Sequence, residues 1–372
     1  MRSVDLISGL VRRLLPPSMR PWGEAAIAEA SSMDRPGQAL RFALGCLSWA
    51  IAEAIRFQFS KLMSRGEEAV NLRDIFGPRG AAVGCGIGAV GLGLAYMAAG
   101  GAPASFLMIN AAALAFGLVT LSILVLADRR AHLAPGPINL LLGLILMGVS
   151  LWGVSADGVT RWVALGPLAI QPSLMIVPLM AVLFARSRDV LSLGGVALAA
   201  LALALQPDRG MSGALAAGLT VLAFARPDRQ TLAAASLSVI GLGAALMQAD
   251  PSPAMPFVDQ ILYSSFGIHP LAGTAVLLGS MLLVLPFLTG IRAKGVEPSA
   301  CATFGAVWAA IIVAAALGNY PTPVVGYGGS AIVGYFLSLI VFSRRNRQPE
   351  PRPVEAARQA EDDGPALYAG LS

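Results

Sequence analysis

Six of the charged side chains in this sequence are candidates for handling a charged substrate: Asp157, Asp208, Asp250, Asp259, Arg161 and Arg209. A carboxylate can take a proton from a hydroxyl, and a guanidinium beside it can hold a phosphate through paired charged hydrogen bonds. Arg161 shares a loop with Asp157, and Arg209 follows Asp208 directly. The same neighbours also suit solvated loop ion pairs, which are common and weak. Cys46, Cys85 and Cys301 lie far apart, and His132 and His269 are the only histidines. Neither a structural zinc site nor a disulfide framework is expected from them.

The elements around these six residues are what single them out. Of 372 residues, 56% are hydrophobic and 13% charged, where a soluble domain carries roughly 25% charged side chains. Long apolar runs can each supply a crossing of about 20 residues, which excludes a secreted enzyme and a single-anchor protein. Forty-one glycines and 25 prolines suit a bundle in which small residues let helices approach and neighbours satisfy broken backbone bonds. The expected fold is an all-α integral membrane protein of about ten transmembrane helices, at residues 80–99, 103–127, 135–155, 170–185, 189–206, 211–226, 231–248, 270–290, 298–318 and 323–343. Loops on one side then hold thirteen Lys/Arg, running from Arg73 and Arg79 to Arg344, Arg345 and Arg347, and the other side only Arg161 and Arg209. Such an excess marks the cytoplasmic face and puts both termini there. It also accounts for the net charge of +5 without a nucleic-acid partner. On the outer face the acids are Asp157, Asp208, Asp250 and Asp259, while Glu297, the one glutamate of the membrane domain, falls inside.

Three domains follow. Residues 1–79 form a cytosolic basic extension with eleven Lys/Arg and no pattern of a cleaved signal peptide. Its stretch from Phe42 to Phe59, which includes Glu53 and Arg56, is expected to be an amphipathic helix lying on anionic membrane lipids of the inner leaflet. Residues 80–343 are the membrane domain. Residues 344–372, with Pro349, Pro351, Pro353 and the acidic run Glu361, Asp362 and Asp363, have too little apolar surface to fold and are expected to be a disordered tail.

Three motifs occur in order through the membrane domain. The loop after the third span reads Gly158, Val159, Thr160, Arg161, Trp162, then Gly166 and Pro167, then Gln171, Pro172 and Ser173. After the fifth span comes Gln206, Pro207, Asp208, Arg209, Gly210, and before the last Pro321, Thr322, Pro323, Val324, Val325, Gly326, Tyr327, Gly328, Gly329, Ser330. Together they resemble the signature loops of the SEDS family (the FtsW, RodA and SpoVE proteins), polytopic polymerases that build peptidoglycan strands from lipid II. The resemblance implies glycosyl transfer at the outer membrane surface. A carboxylate before span eight would deprotonate the acceptor hydroxyl, and basic side chains or a divalent cation would neutralise the departing pyrophosphate. Asp259 is the candidate base, with Asp250 as the alternative; Arg161, Trp162, Asp208 and Arg209 are candidate substrate-binding residues. Gly166, Gln171, Pro172, Ser173, Gln206, Pro207, Gly210, Pro323, Tyr327, Gly328, Gly329 and Ser330 are the structural part of the motifs. A class B penicillin-binding protein, a transpeptidase, is the implied partner.

Departures accompany the resemblance. Where the family continues the Gln-Pro-Ser of the first motif with Glu and, three residues later, Lys, this chain has Leu174 and Val177. The loop before span eight is cut to about twenty residues, Phe266, Gly267 and Ile268 stand where a pair of acids is usual, and Gly326 replaces a serine. A second reading therefore stands beside the enzyme: a catalytically silent scaffold that binds a transpeptidase or another envelope protein. A third, a lipid-linked sugar transporter, calls for ionisable groups within the spans, and the sequence holds almost none.

Some glycines invite other readings. Gly86, Gly88 and Gly91 fit a dinucleotide-binding pattern, but no strand precedes them and they sit within an apolar span. Gly84 with Gly88 is better suited to close helix packing, and Gly273, Gly279 and Gly305 mark surfaces of spans eight and nine that a partner helix could use.

Overall fold

The computed structural model describes residues 2–33, 36–63, 79–131, 134–156, 159–166, 168–249, 253–293 and 296–342. The expected tail, Asp157, Gly158, Pro167, Asp250, His132, Lys294 and residues 64–78 lie outside the described residues.

Three helices precede the bundle: α1 (Arg2–Leu14), α2 (Arg20–Ser32) and α3 (Pro36–Met63). Along α1, Ile7, Leu10, Val11 and Leu14 recur at helical spacing and form one apolar stripe. That stripe joins Leu15, Ile27 and Ala50 in a cluster with Leu140 and Leu191 of the bundle. The segment from Phe42 to Phe59, read from sequence as a separate interfacial helix, is the middle of α3, and its Ala43 and Ala50 are buried.

Among the described residues, ten apolar helices follow: α4 (Gly80–Ala99), α5 (Ala104–Ala131), α6 (Pro135–Trp152), α7 (Pro172–Arg186), α8 (Val190–Leu205), α9 (Arg209–Ala225), α10 (Arg229–Leu246), α12 (Pro270–Gly290), α13 (Pro298–Leu317) and α14 (Gly329–Ser338). A short α11 (Ile261–Ile268) precedes α12, and a 3-10 turn, Leu339–Phe342, extends α14. Six of the ten, α4, α5, α6, α10, α12 and α13, are long and apolar enough to cross a membrane; α7, α8, α9 and the last helix are shorter. The short ones include the centre of the bundle. Thirteen of the fifteen residues of α7 are buried, and α6, α8, α9, α13 and α14 all pack around it. A helix that is apolar all round and enclosed by protein has no lipid contact to fix its length.

Backbone contacts at glycines bring helices together. Gly143 of α6 and Gly195 of α8 face each other's helix so closely that a Cβ on either would strike main-chain atoms, and Gly334 of α14 rests in the same way on the Leu174 carbonyl of α7. The expected Gly84–Gly88 pair is corrected. Gly88 faces Leu282 of α12, but Gly84 faces open space, and the tight contacts of α4 fall at Gly86, under the rings of Tyr335 and Phe336, and at Gly93, against the Val325 backbone. Helix periodicity explains the shift: residues 86 and 93 are seven apart, two turns on one face, whereas residue 84 lies about 200° from residue 86 around the axis.

At one end of the bundle, four loops are tied by charge. Arg186 pairs with Asp128 at 2.8 Å, Arg188 with Asp228 at 2.8 Å and with Glu297 at 3.9 Å, and Arg226 with Glu297 at 3.6 Å. Asp189 caps α8 through Ser192 N, and Asp228 caps α10 in a reciprocal box with Thr231, as short acceptors at helix N-termini do. The motif loops gather at the other end.

Candidate functional site

The first motif folds as a small antiparallel sheet that the sequence reading took for an irregular loop: β1 (Val154–Ala156), β2 (Val159–Leu165) and β3 (Leu168–Ile170), in the order β1-β2-β3. Val159, Thr160 and Val163 supply the β-branched residues such a strand favours. Gly166, at φ 59°, turns the chain so that Leu165 pairs with Leu168, a conformation glycine adopts without a Cβ clash. Arg161 is buried in β2 with its guanidinium carbon 5.2 Å from the centre of the Trp162 ring, a cation–π distance; Trp162 itself is half-buried. The strand β3 delivers the chain to Gln171, the N-cap of α7, with Pro172 at the first helical position, where its missing N–H costs nothing.

The first and second motifs then lock together. Asp208, 1% exposed, caps α9 by accepting from Met211 N at 3.1 Å. Its other oxygen accepts from Ser173 Oγ at 2.8 Å and Gln171 Nε2 at 3.1 Å. Gln171 N in turn donates to Ser330 Oγ of the third motif at 3.1 Å. A buried charge is tolerated when donors satisfy its lone pairs, and Asp208 has three. Pro207 sits in the turn above it, Gln206 Nε2 donates to the Leu146 carbonyl at 3.2 Å, and Gly210 lies against the ring of Tyr320. Arg209 does not turn to Asp208. It donates to the Gln248 carbonyl, so the two neighbours in sequence serve different partners.

The third motif holds the loop of Asp259. Val258 O accepts from Thr322 N at 2.9 Å, Phe257 O from Tyr327 N at 2.7 Å, and Asp259 forms an antiparallel bridge with Pro321. Gln260 Nε2 donates to Asn319 Oδ1 at 2.7 Å. Asp259 is 8% exposed, and its Oδ2 accepts from Met255 N at 2.9 Å. Three non-glycine residues here have positive φ: Phe257 at 62°, Gln260 at 57° and Val324 at 69°. Each costs about 1–3 kcal/mol and persists only where its surroundings over-determine it.

Those surroundings come from α5. Phe106 stacks on Tyr327 at 3.7 Å between centroids with 10° between planes, and meets Phe257 edge-on at 6.5 Å. One turn further, buried Asn110 donates from Nδ2 to Gly326 O at 2.8 Å and accepts from Gly328 N at 3.1 Å. Gly328 has φ 149°, open to glycine alone; Gly329 begins α14 against Ala113, and Pro323 is buried. Neither Phe106 nor Asn110 was singled out from sequence. The signal was there for Asn110, the one amide in the apolar run 104–127, since a polar group at that depth needs a partner. Asn110→Ala removes both bonds and leaves a carbonyl and an N–H behind. It is expected to lower stability by about 1–3 kcal/mol, read as a reduced Tm in detergent, with Asn110→Leu no better because it also cannot bond.

Leu174 and Val177, the departures in the first motif, lie in the core beside α14, 5% and 0% exposed. Among the described residues no group of three or more His, Cys, Asp or Glu could hold a metal ion.

A bundle of apolar helices, six of them long enough to span a bilayer, with polar loops joined at one end, defines a multi-pass membrane protein. Its fold is that of rod shape determining protein RodA of Thermus thermophilus. The match to an aspartate-to-alanine mutant of RodA has 22% identity and TM-score 0.51, covering 72% of this chain and 98% of that one. RodA without that substitution matches at 22% identity and TM-score 0.50, over 72% and 97%. No protein-family model and no curated protein matches the sequence. The fold is the one that the motif resemblance implied.

Proposed function

We propose that this chain is a divergent SEDS-type glycosyltransferase of the bacterial cytoplasmic membrane, polymerising lipid II at the outer face during cell wall growth, division or shape determination. One observation carries the reading. Three motifs far apart in sequence are tied together by the polar bonds among Gln171, Ser173, Asp208 and Ser330, and the third of them braces the loop of Asp259. In the proposed step Asp259 takes the proton of the acceptor sugar hydroxyl as its oxygen attacks the anomeric carbon of the lipid-linked donor. The bond to the pyrophosphate breaks, and Arg161 and Arg209 neutralise the charge that leaves. Asp208 positions α9 and α7 rather than touching substrate.

The assay is gel separation of products from the purified full chain with fluorescent lipid II, with and without a class B penicillin-binding protein. A polymer ladder is expected. No ladder in either arm favours the scaffold reading, which has its own support in Leu174 and Val177, core side chains where the family's ionisable pair is expected. For the partner helix, the glycine surfaces named from sequence give way to another surface. Gly273, Gly279 and Gly305 pack inward on Phe266, Val325 and Phe287. An apolar groove of about 640 Å3 between α12 and α13, edged by Tyr263 and lined by Met281, Leu285 and Val313, is the surface a single-span transpeptidase would use, and co-purification from native membranes tests it. Topology is a separate check. Cysteines introduced at 129, 226 and 294 are expected to label from the cytoplasm, and those within 157–169 and 250–265 from outside; labelling of position 259 only from inside would remove the proposed base.

A further inference from the structure

Outside the motif loops, the described residues of the extension leave an apolar surface without a partner. Ile7, Leu10, Val11 and Leu14 of α1 pack into the cluster shared with α3 and the bundle. Between α2 and α3, by contrast, an open groove of about 680 Å3 is lined by Met19, Trp22, Phe42, Cys46 and Trp49. Trp22 is 69% exposed and Phe42 37%. Burial pushes the Cys46 thiol above its ordinary range, so it lines the groove as a neutral group. Arg41 is the one charged residue among those lining it.

The depth of the groove follows from what the extension packs on. Leu191 is the second residue of α8, and Leu140 lies in the second turn of α6. Both are at the end of the bundle where Arg186, Arg188 and Arg226 form their ion pairs, the end whose loops hold the basic residues. With the bundle spanning the membrane as proposed above, that level is where phospholipid headgroups meet the hydrocarbon, the depth at which Trp rings and snorkelling arginines are most stable.

We infer that the groove between α2 and α3 is a binding site for an anionic phospholipid, with an acyl chain against Trp22, Phe42 and Trp49 and the headgroup phosphate on Arg41. The pairing is complementary in both parts: an apolar lining for a chain, and one cation among the lining residues for a phosphate. A lone apolar partner would leave Arg41 idle, and a soluble phosphate would leave the trough exposed to water.

The experiment uses the full chain in phosphatidylcholine nanodiscs containing equal small fractions of either chain-brominated phosphatidylglycerol or chain-brominated phosphatidylcholine. Bromine quenches nearby indole, and subtracting the Trp22→Phe and Trp49→Phe proteins isolates the signal of the groove. Quenching is expected to favour the anionic lipid about fivefold, the gain of one basic side chain at an anionic surface. Arg41→Gln should bring the ratio to unity and Arg41→Lys should keep most of it. Equal quenching by the two lipids in the parent, a preference that survives Arg41→Gln, or no quenching at all because protein covers the groove, would each overturn the inference.

Discussion

Asp259→Asn is expected to abolish polymer formation from lipid II while the amount and Tm of the protein in the membrane stay unchanged. Asparagine keeps the shape and can still accept the hydrogen bond from Met255 N, and the bridge to Pro321 is made by the main chain. What it cannot do is take a proton. Loss of a positioned general base costs about 10²–10⁴ in rate, enough to erase a ladder on a gel. Asp250→Asn serves as the comparison and is expected to be mild. If the Asp259 variant polymerises at the parent rate, the base lies elsewhere and the placement of the shortened loop against the family is wrong.

Asp208→Ala is expected to have the larger effect on the folded protein. Gln171, Ser173 and Met211 would each lose an acceptor inside the bundle, and α9 would lose its cap. The Met211 bond is that cap, worth about 1 kcal/mol, and stranding a buried side-chain donor costs about 1–3 kcal/mol, so the variant should fall in Tm by many degrees and accumulate poorly in membranes. Asp208→Asn retains an oxygen for the cap and should be intermediate. Ser173→Ala, which removes one donor and leaves Gln171 in place, should be milder than either. A normal Tm for Asp208→Ala would mean that the motifs are held by packing alone.

The ten apolar helices were legible because their signal is local: a run of apolar residues with turn residues at its ends. The last of them shows where that signal misleads. The run 323–343 looks continuous by hydropathy, yet the helix starts at Gly329, because Val324, at φ 69°, and Gly328, at φ 149°, take backbone angles no right-handed helix uses. The sheet at 154–170 was missed for the opposite reason. Its strands are three, seven and three residues long, too short to show alternation against an apolar background. Within the site, the residue types were readable and their meetings were not. Ser173 and Asp208 are 35 residues apart in the chain and 2.8 Å apart in space, and nothing in either segment alone says that one serves the other. Asp208 and Arg209 were read together because they adjoin, but a helix N-cap points its side chain back at its own first turn, away from its neighbour's.

The helix α5 reaches both ends of the bundle. Near its start Asn110 grips the loop that braces Asp259, and near its end Asp128 is bonded to Arg186. Eighteen residues at the helical rise put these two anchors roughly 27 Å apart on one rod, about the thickness of the bilayer's hydrocarbon. A rod fixed at both tips transmits axial displacement with little loss, so a pull on the Asp128–Arg186 clasp on one side of the membrane would be felt at the strained turn on the other.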